Sequence, residues 1–341
     1  MTTPSARTGR PPNPSARRRP SAPSSIDGRL KVLFIGGLGR SGSTLVELLL
    51  NEMGPAVSVG ETIHLWERGV ANNERCACGR NFDRCPHWSA VGEKAFGGWD
   101  RIDLDDVISL RWSVDRSRRL PAIARRHRQG GPSDDERRYL EHLRLVLQAS
   151  AAVTGGPELL LESSKHLSTA ALLALDDAID LRVLHLVRDP RGVAYSWTKE
   201  VERPETATDG GPGELMPIYR PHRTALRWVT DNLGFDALST RVPTLRLRYE
   251  DVLARPVASL SAIAGLCDLD PTGIDLGFLD GDRATVSAPM HSVAGNPMRF
   301  GGREVTLRLD DAWRRELDPA KRRLVTAMTG TLLAAYGYDL R

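Results

Sequence analysis

Cysteine is scarce in this chain, four residues in 341, too few to staple a fold of this size, so a disulfide-framed scaffold is excluded. Long apolar runs are missing too, and a bilayer-spanning helix needs about 18 or more consecutive apolar residues. Basic residues near the N-terminus have no apolar stretch behind them, so neither a secretory signal nor an anchor is expected, and the expected location is cytoplasmic. Nor is there a charge excess outside the tail. Residues 1–28 hold five arginines against one acid, a net of +4 that equals the net charge of the whole chain. The body is therefore neutral, and basicity gives no ground for a nucleic-acid partner. The tail is rich in Ser, Pro and Arg, which predicts disorder, with weak contact to anionic surfaces at most. Residues 29–341, in a chain that is 40% apolar, are long enough to bury one large core. The oligomeric state is not legible.

What is present begins at Lys31. Residues 31 to 35 are a short buried strand pattern, Gly36, Gly37, Gly39 and Gly42 break it, and Thr44 to Leu50 resumes as a packed helix. A glycine-rich turn feeding a helix brings backbone N–H groups and the positive end of the helix dipole to an anion, although such a turn can also serve packing alone. Gly37 to Thr44 fits the nucleotide-triphosphate loop G-x-x-x-x-G-K-[ST] except that Ser43 stands where the lysine should be. The loop's cation is instead Arg40, whose planar fork suits a tetrahedral oxyanion. A phosphate-like donor without the usual γ-phosphate site follows.

These residues carry a resemblance. Gly39-Arg40-Ser41-Gly42-Ser43-Thr44 resembles the 5′-phosphosulfate loop of sulfotransferases that use 3′-phosphoadenosine 5′-phosphosulfate, particularly their carbohydrate, tyrosylprotein and bacterial branches. A second apolar strand pattern, Leu181 to Val187, runs into Arg188-Asp189-Pro190-Arg191 and onward to Ser196. In the family the matching arginine and serine bind the donor's 3′-phosphate, which implies that role for Arg188 and Ser196. Arg248-Tyr249-Glu250-Asp251 is similar to a segment whose tyrosine lies near the adenosine, and Glu162-Ser163-Ser164-Lys165 to one supplying a lysine near the donor's bridging oxygen. His291 to Phe300 is similar to a C-terminal segment of bacterial members, which implies that Asn296 and Arg299 close over the nucleotide.

The resemblance implies an α/β fold, P-loop-like and three-layered, with a central parallel sheet between helices. It also implies a nucleotide-binding transferase that moves a sulfuryl group to an acceptor hydroxyl on a sugar, glycolipid or secondary metabolite. Arg40 and Lys165 would stabilise charge during transfer. For the acceptor proton the expected base is Glu61, in a Gly-Glu-Thr string twenty-one residues beyond Arg40, similar to the tyrosylprotein branch. Carboxylates are weak bases at their ordinary pKa of about 4.3, and partial burial strengthens them. The competing reading makes Glu61 a structural ion-pair partner of Arg40 or Arg68. His64 and His185 are rival bases, with His185 inside an apolar strand and expected to be a hydrogen-bonded core histidine. Transferring SO₃ carries less charge than a phosphoryl group, so no metal is expected to be required. Two other function classes compete: a triphosphate-dependent phosphotransferase, which Ser43 opposes, and a non-catalytic binder of the bisphosphate nucleotide.

Three cysteines cluster as Cys76-Ala77-Cys78 and Cys85, with His87 behind. They could supply four zinc ligands, yet the spacing departs from paired C-x₂-C, and reduced thiols or one disulfide compete. Together with Trp66, Trp88 and Trp99 they fall in 63–130, expected to be an acceptor-side insertion. Helices are expected at 104–119, 134–150, 166–177, 190–200, 221–238, 251–265 and 319–336, and strands at 31–35, 56–60, 158–162, 181–187 and 243–248. Leu140, Leu143 and Leu147 recur at helical spacing, a core stripe. The Pro- and Gly-rich stretch from Arg203 to Pro217 is either a lid over the acceptor or a disordered insertion.

Overall fold

A computed structural model describes residues 28–206, 213–288, 290–301 and 304–340. The reading of the tail, apart from Gly28, and of the middle of the 203–217 stretch lies outside the described residues. In chain order the regular elements are β1 (Leu30–Gly36), α1 (Ser43–Glu52), β2 (Ala56–Gly60), α2 (Pro86–Phe96), α3 (Leu104–Val114), α4 (Leu120–Gln129), α5 (Asp134–Val153) and β3 (Leu159–Lys165). Then follow α6 (Leu167–Leu173), β4 (Ile179–Val187), α7 (Pro190–Ser196), α8 (Pro221–Leu238), β5 (Thr244–Arg248), α9 (Tyr249–Ala254) and α10 (Pro256–Leu266). The chain closes with β6 (Leu279–Asp280), β7 (Arg283–Thr285), β8 (Glu304–Thr306), α11 (Trp313–Glu316) and α12 (Pro319–Ala335).

β1 to β5 form one parallel sheet in the order β2-β3-β1-β4-β5. Side chains alternate across a strand, so β1 divides its apolar residues between two cores. Val32 and Phe34 face a cluster built with Trp66, Trp88 and the inner stripes of α3, α5 and α6, including Leu140, Leu143 and Leu147. Leu33 and Ile35 face the opposite cluster, completed by Leu45, Leu49, Val252 and Ile263 of α1, α9 and α10. Helices thus cover both faces of the sheet, as the strand runs required.

The expected strands and most helices are present, with differences that have physical causes. The run expected at 104–119 stops at Val114, because buried Asp115 leaves helical geometry and accepts a hydrogen bond from Thr169 Oγ1 at 2.8 Å. Pro256 divides 251–265 into α9 and α10, since a proline fits only the first turn of a helix. Elements outside the expected ranges include α2 and α4, each with a proline in its first turn, the one-turn α11, and the β6-β7-β8 sheet, whose strands are two or three residues long. Trp66 and Trp88 are fully buried, and Phe82 stacks on Trp88 with ring centres 5.5 Å apart. Those tryptophans belong to the core under the sheet.

Candidate active site

Strand β1 ends where the sheet is most central, so the segment after it emerges between β3 and β4. Gly37 has φ of 139°, and a Cβ there would stand 2.3 Å from the Leu186 carbonyl oxygen, a backbone atom that cannot yield. Gly42 caps α1 at φ 91°, where a Cβ would strike the Tyr249 ring at 2.2 Å. No side chain caps the first turn of α1 and no acid lies in it, which leaves its N–H groups and dipole facing outward. Ser41, Ser43 and Thr44 are buried in this turn. Arg40 adopts φ 74°, left-handed for a side chain with a Cβ. Its guanidinium lies 5.1 Å from the centre of the Trp197 ring and 2.8 Å from Met216 Sδ.

Trp197 supports the loop doubly, because its Nε1 also donates to the Gly39 carbonyl at 3.0 Å. Arg188, at the end of β4, donates from Nη1 to the Arg40 carbonyl at 3.1 Å and from Nη2 to the Asp310 carbonyl at 3.2 Å. Its guanidinium also sits 5.1 Å from the Tyr249 ring centre, so the turns after β1, β4 and β5 converge. Ser196, half-buried, is the last residue of α7. Asp189 caps that helix through Arg191 N–H and holds the Arg191 guanidinium. A cavity of about 290 Å³ opens beside Arg188 between Arg248, Trp313 and Tyr338, and none of Gly39 to Thr44 lines it.

Glu61 follows β2 and Lys165 ends β3, and these neighbouring strand ends join the two side chains in a direct ion pair. The partner is therefore neither Arg40 nor Arg68, as the structural reading of Glu61 had it. Lys165 has φ 68°, and its carbonyl accepts the Gly37 N–H at 3.3 Å, so the lysine stands between the glycine loop and Glu61. His64 Nε2 lies 3.6 Å from Glu61 Oε2, with its pKa held well below the usual range by burial. His185 is a core residue bonded to Asn232 at 2.7 Å and remote from this pair, as its strand position predicted.

Glu162 was not singled out for a role, yet it organises the pair. Fully buried, it accepts Thr62 N–H at 3.0 Å, Thr62 Oγ1 at 2.7 Å and Ser164 N–H at 3.1 Å, stitching the end of β2 to that of β3. An acid inside an apolar strand was the available signal. Asn296 meets the loop, its N–H 3.4 Å from Thr44 Oγ1. Arg299 does not. It is buried without a hydrogen-bond partner among the described residues, 3.5 Å from Glu205, and both its Nη1 and Glu61 Oε1 border Gly295. The cysteine cluster also differs from expectation: the imidazole that meets Cys76 and Cys85 is His291, while His87 stacks on His291.

Burial gives the fold a pH dependence. Desolvation lowers His166 to about 3 and His185 to about 4 and raises Glu162 to about 7. Unfolded histidine titrates near ~6.5. As pH falls below that, the unfolded chain takes up protons the folded imidazoles refuse, so stability is lost at about 1.4 kcal/mol per pH unit for each histidine. Glu162 opposes this, because the folded carboxyl holds a proton up to about pH 7 that the unfolded chain has already released. Burial also lowers His64, His87 and His127 and raises Glu47, Asp115 and Asp231, so five imidazoles stand against four carboxyls and the histidine side prevails. The urea midpoint should be lower at pH 5 than at pH 7, and a higher midpoint at pH 5 would contradict the balance.

A family model described as Sulfotransferase family matches residues 33–272. Carbohydrate sulfotransferase 5 of Mus musculus is 24% identical over 359 aligned positions, which cover 95% of this chain and 84% of that protein. Among solved structures, the sulfotransferase domain from the Synechococcus PCC 7002 olefin synthase is similar with a TM-score of 0.47 and 19% identity, over 95% of this chain and 99% of that one. The sulfotransferase domain from the curacin biosynthetic pathway gives 0.44 and 20%, over 91% and 99%. The matched stretch runs through the glycine loop, Glu61, Lys165, Arg188 and Tyr249, and it spans well over half the sequence: the chain belongs to the sulfotransferase family.

Proposed function

We propose that this sulfotransferase takes 3′-phosphoadenosine 5′-phosphosulfate as donor and passes its sulfuryl group to an acceptor hydroxyl, releasing the 3′,5′-bisphosphate. One observation carries the reading: Arg188 is hydrogen-bonded to the Arg40 carbonyl, so two arginine-bearing strand-to-helix turns meet at bonding distance. A nucleotide with an anion at each end fits such a junction better than a triphosphate does, since Ser43 replaces the lysine a γ-phosphate needs.

In this reading Gly39, Arg40, Ser41, Gly42, Ser43 and Thr44 bind the 5′-phosphosulfate, through backbone N–H groups at the start of α1 and the two kinds of hydroxyl. Arg188 and Ser196 take the 3′-phosphate, which displaces Asp310 from the Arg188 fork. Tyr249 lies against the adenosine, and Asn296 ties the C-terminal segment over the loop. Arg299, beside Glu205, holds that segment by charge as it closes over the nucleotide. Glu61 takes the acceptor proton while the acceptor oxygen bonds to sulfur, and the bond from sulfur to the bridging oxygen breaks. Lys165, held by Glu61 beside the loop, donates to that bridging oxygen as its charge grows. Location remains proposed as cytoplasmic; no described helix is long and apolar enough to cross a membrane.

The test is transfer itself. Protein incubated with ³⁵S-labelled donor and a panel of sugars, glycolipid head groups and hydroxylated secondary metabolites should yield a labelled acceptor and an equal amount of bisphosphate. Donor binding with no labelled product across the panel would favour a nucleotide-holding protein, and magnesium-dependent ATP binding in place of donor binding would favour a phosphotransferase.

A further inference from the structure

Cys76, Cys78, Cys85 and His291 present their ligand atoms within 4.8 Å of one another. Cys85 Sγ is 3.7 Å from both Cys76 Sγ and Cys78 Sγ, and His291 Nδ1 is 3.3 Å from Cys85 Sγ and 3.8 Å from Cys76 Sγ. These separations are too long for a disulfide, whose sulfurs lie about 2.05 Å apart, and all four cysteines of the chain are free thiols. They match another geometry. Around a tetrahedral zinc, bonds of about 2.3 Å to sulfur and about 2.0 Å to nitrogen put neighbouring sulfurs about 3.8 Å apart and sulfur and nitrogen about 3.5 Å apart.

We propose that these four side chains hold one structural zinc ion that clamps the C-terminal segment 290–299 onto the 75–88 region. Three thiolates and an imidazole are a soft donor set, which selects zinc over magnesium or calcium. Four protein ligands close the shell and leave no position for water, so the metal would hold structure and not polarise substrate. The local chain is shaped for it. Cys76 and Cys78 sit in a tight reversal in which Gly79 N–H donates to the Cys76 carbonyl and Cys76 N–H to the Arg80 carbonyl, both at 2.8 Å, with Gly79 at φ 84°. Cys85 caps the start of α2. His291 arrives from 206 residues further along the chain, its neighbour Ser292 accepts Ala77 N–H at 2.9 Å, and His87 stacks on its ring with centres 4.7 Å apart.

The clamp bears on the site already described. Beyond His291, Ser292 packs against Gly60, Gly295 borders Glu61, and Asn296 meets Thr44. Zinc would fix the segment that closes over the loop and the glutamate, whichever donor is used.

The experiment uses the full chain purified without chelators under reducing conditions. Elemental analysis should find about one zinc per chain, and cobalt substitution should give the ligand-field and thiolate charge-transfer bands of a tetrahedral site with three sulfurs. Cys78→Ser, at the exposed ligand, and His291→Ala should each weaken zinc retention against a competing chelator by about tenfold or more, whereas His87→Ala should keep it. If a buried-ligand variant fails to fold, the Cys78→Ser result and release of one zinc from the wild type by a mercurial decide. Wild-type protein that neither contains zinc nor takes it up, iron in its place, or loss in His87→Ala with retention in His291→Ala would overturn the assignment.

Discussion

Glu61→Gln should lower turnover by a factor of about 10² to 10⁴, the usual contribution of a positioned general base, with donor affinity changed by less than about threefold. Glutamine keeps the shape and can still accept from Lys165 Nζ, so the ion pair becomes a neutral hydrogen bond while the proton acceptor is removed. Among the described residues the Glu61 side chain meets Lys165 and His64 and borders Gly295, none of them in the loop proposed to hold the donor. The effect should thus fall on kcat and spare the donor KM. Single-turnover rates with a fixed acceptor check this. Turnover equal to wild type removes Glu61 as base and leaves His64, 3.6 Å away, as the alternative.

Arg188→Ala should weaken binding of the 3′,5′-bisphosphate by about 30-fold to 1000-fold, because truncating one partner of a desolvated charge-assisted contact costs about 2–4 kcal/mol. The arginine is buried beside Tyr249, where water screens little. It also holds the Arg40 carbonyl, so its loss loosens the loop as well as the far phosphate. Arg188→Lys should restore only part, since an ammonium cannot span both the carbonyl and a phosphate as a planar fork does. Calorimetric titration reads both variants. Affinity equal to wild type in Arg188→Ala would reject the pocket.

Much of this molecule could be read along the chain. Apolar runs of five to nine residues became the parallel strands, and glycines that break the first run became the turn under Tyr249. The α8 boundaries, 221–238, fell where a proline start and helical spacing put them. The candidate site was legible only in parts. Arg188 and Tyr249 could be matched to strand ends, but nothing local indicated that Lys165 would pair with Glu61, 104 residues away, or that Glu162 would brace them. Nor did anything local indicate that Arg299 would lie beside Glu205, 94 positions earlier in the chain. Nor could the sequence say that Trp66 and Trp88, in the 63–130 region, pack into the core under the sheet.

By itself the amino-acid order determined the alternation of strand and helix, the uncapped glycine turn with its arginine, and the absence of a triphosphate lysine. Each depends on residues within a few positions of one another, where backbone sterics and periodicity act. Tertiary structure decided who meets whom. The strand order β2-β3-β1-β4-β5 brings Glu61 beside Lys165 and Arg188 beside the loop, and the return of the C-terminal segment selects His291 over the nearer His87. Such contacts arise because crossover connections and the burial of two sheet faces set distances through space that sequence separation does not encode.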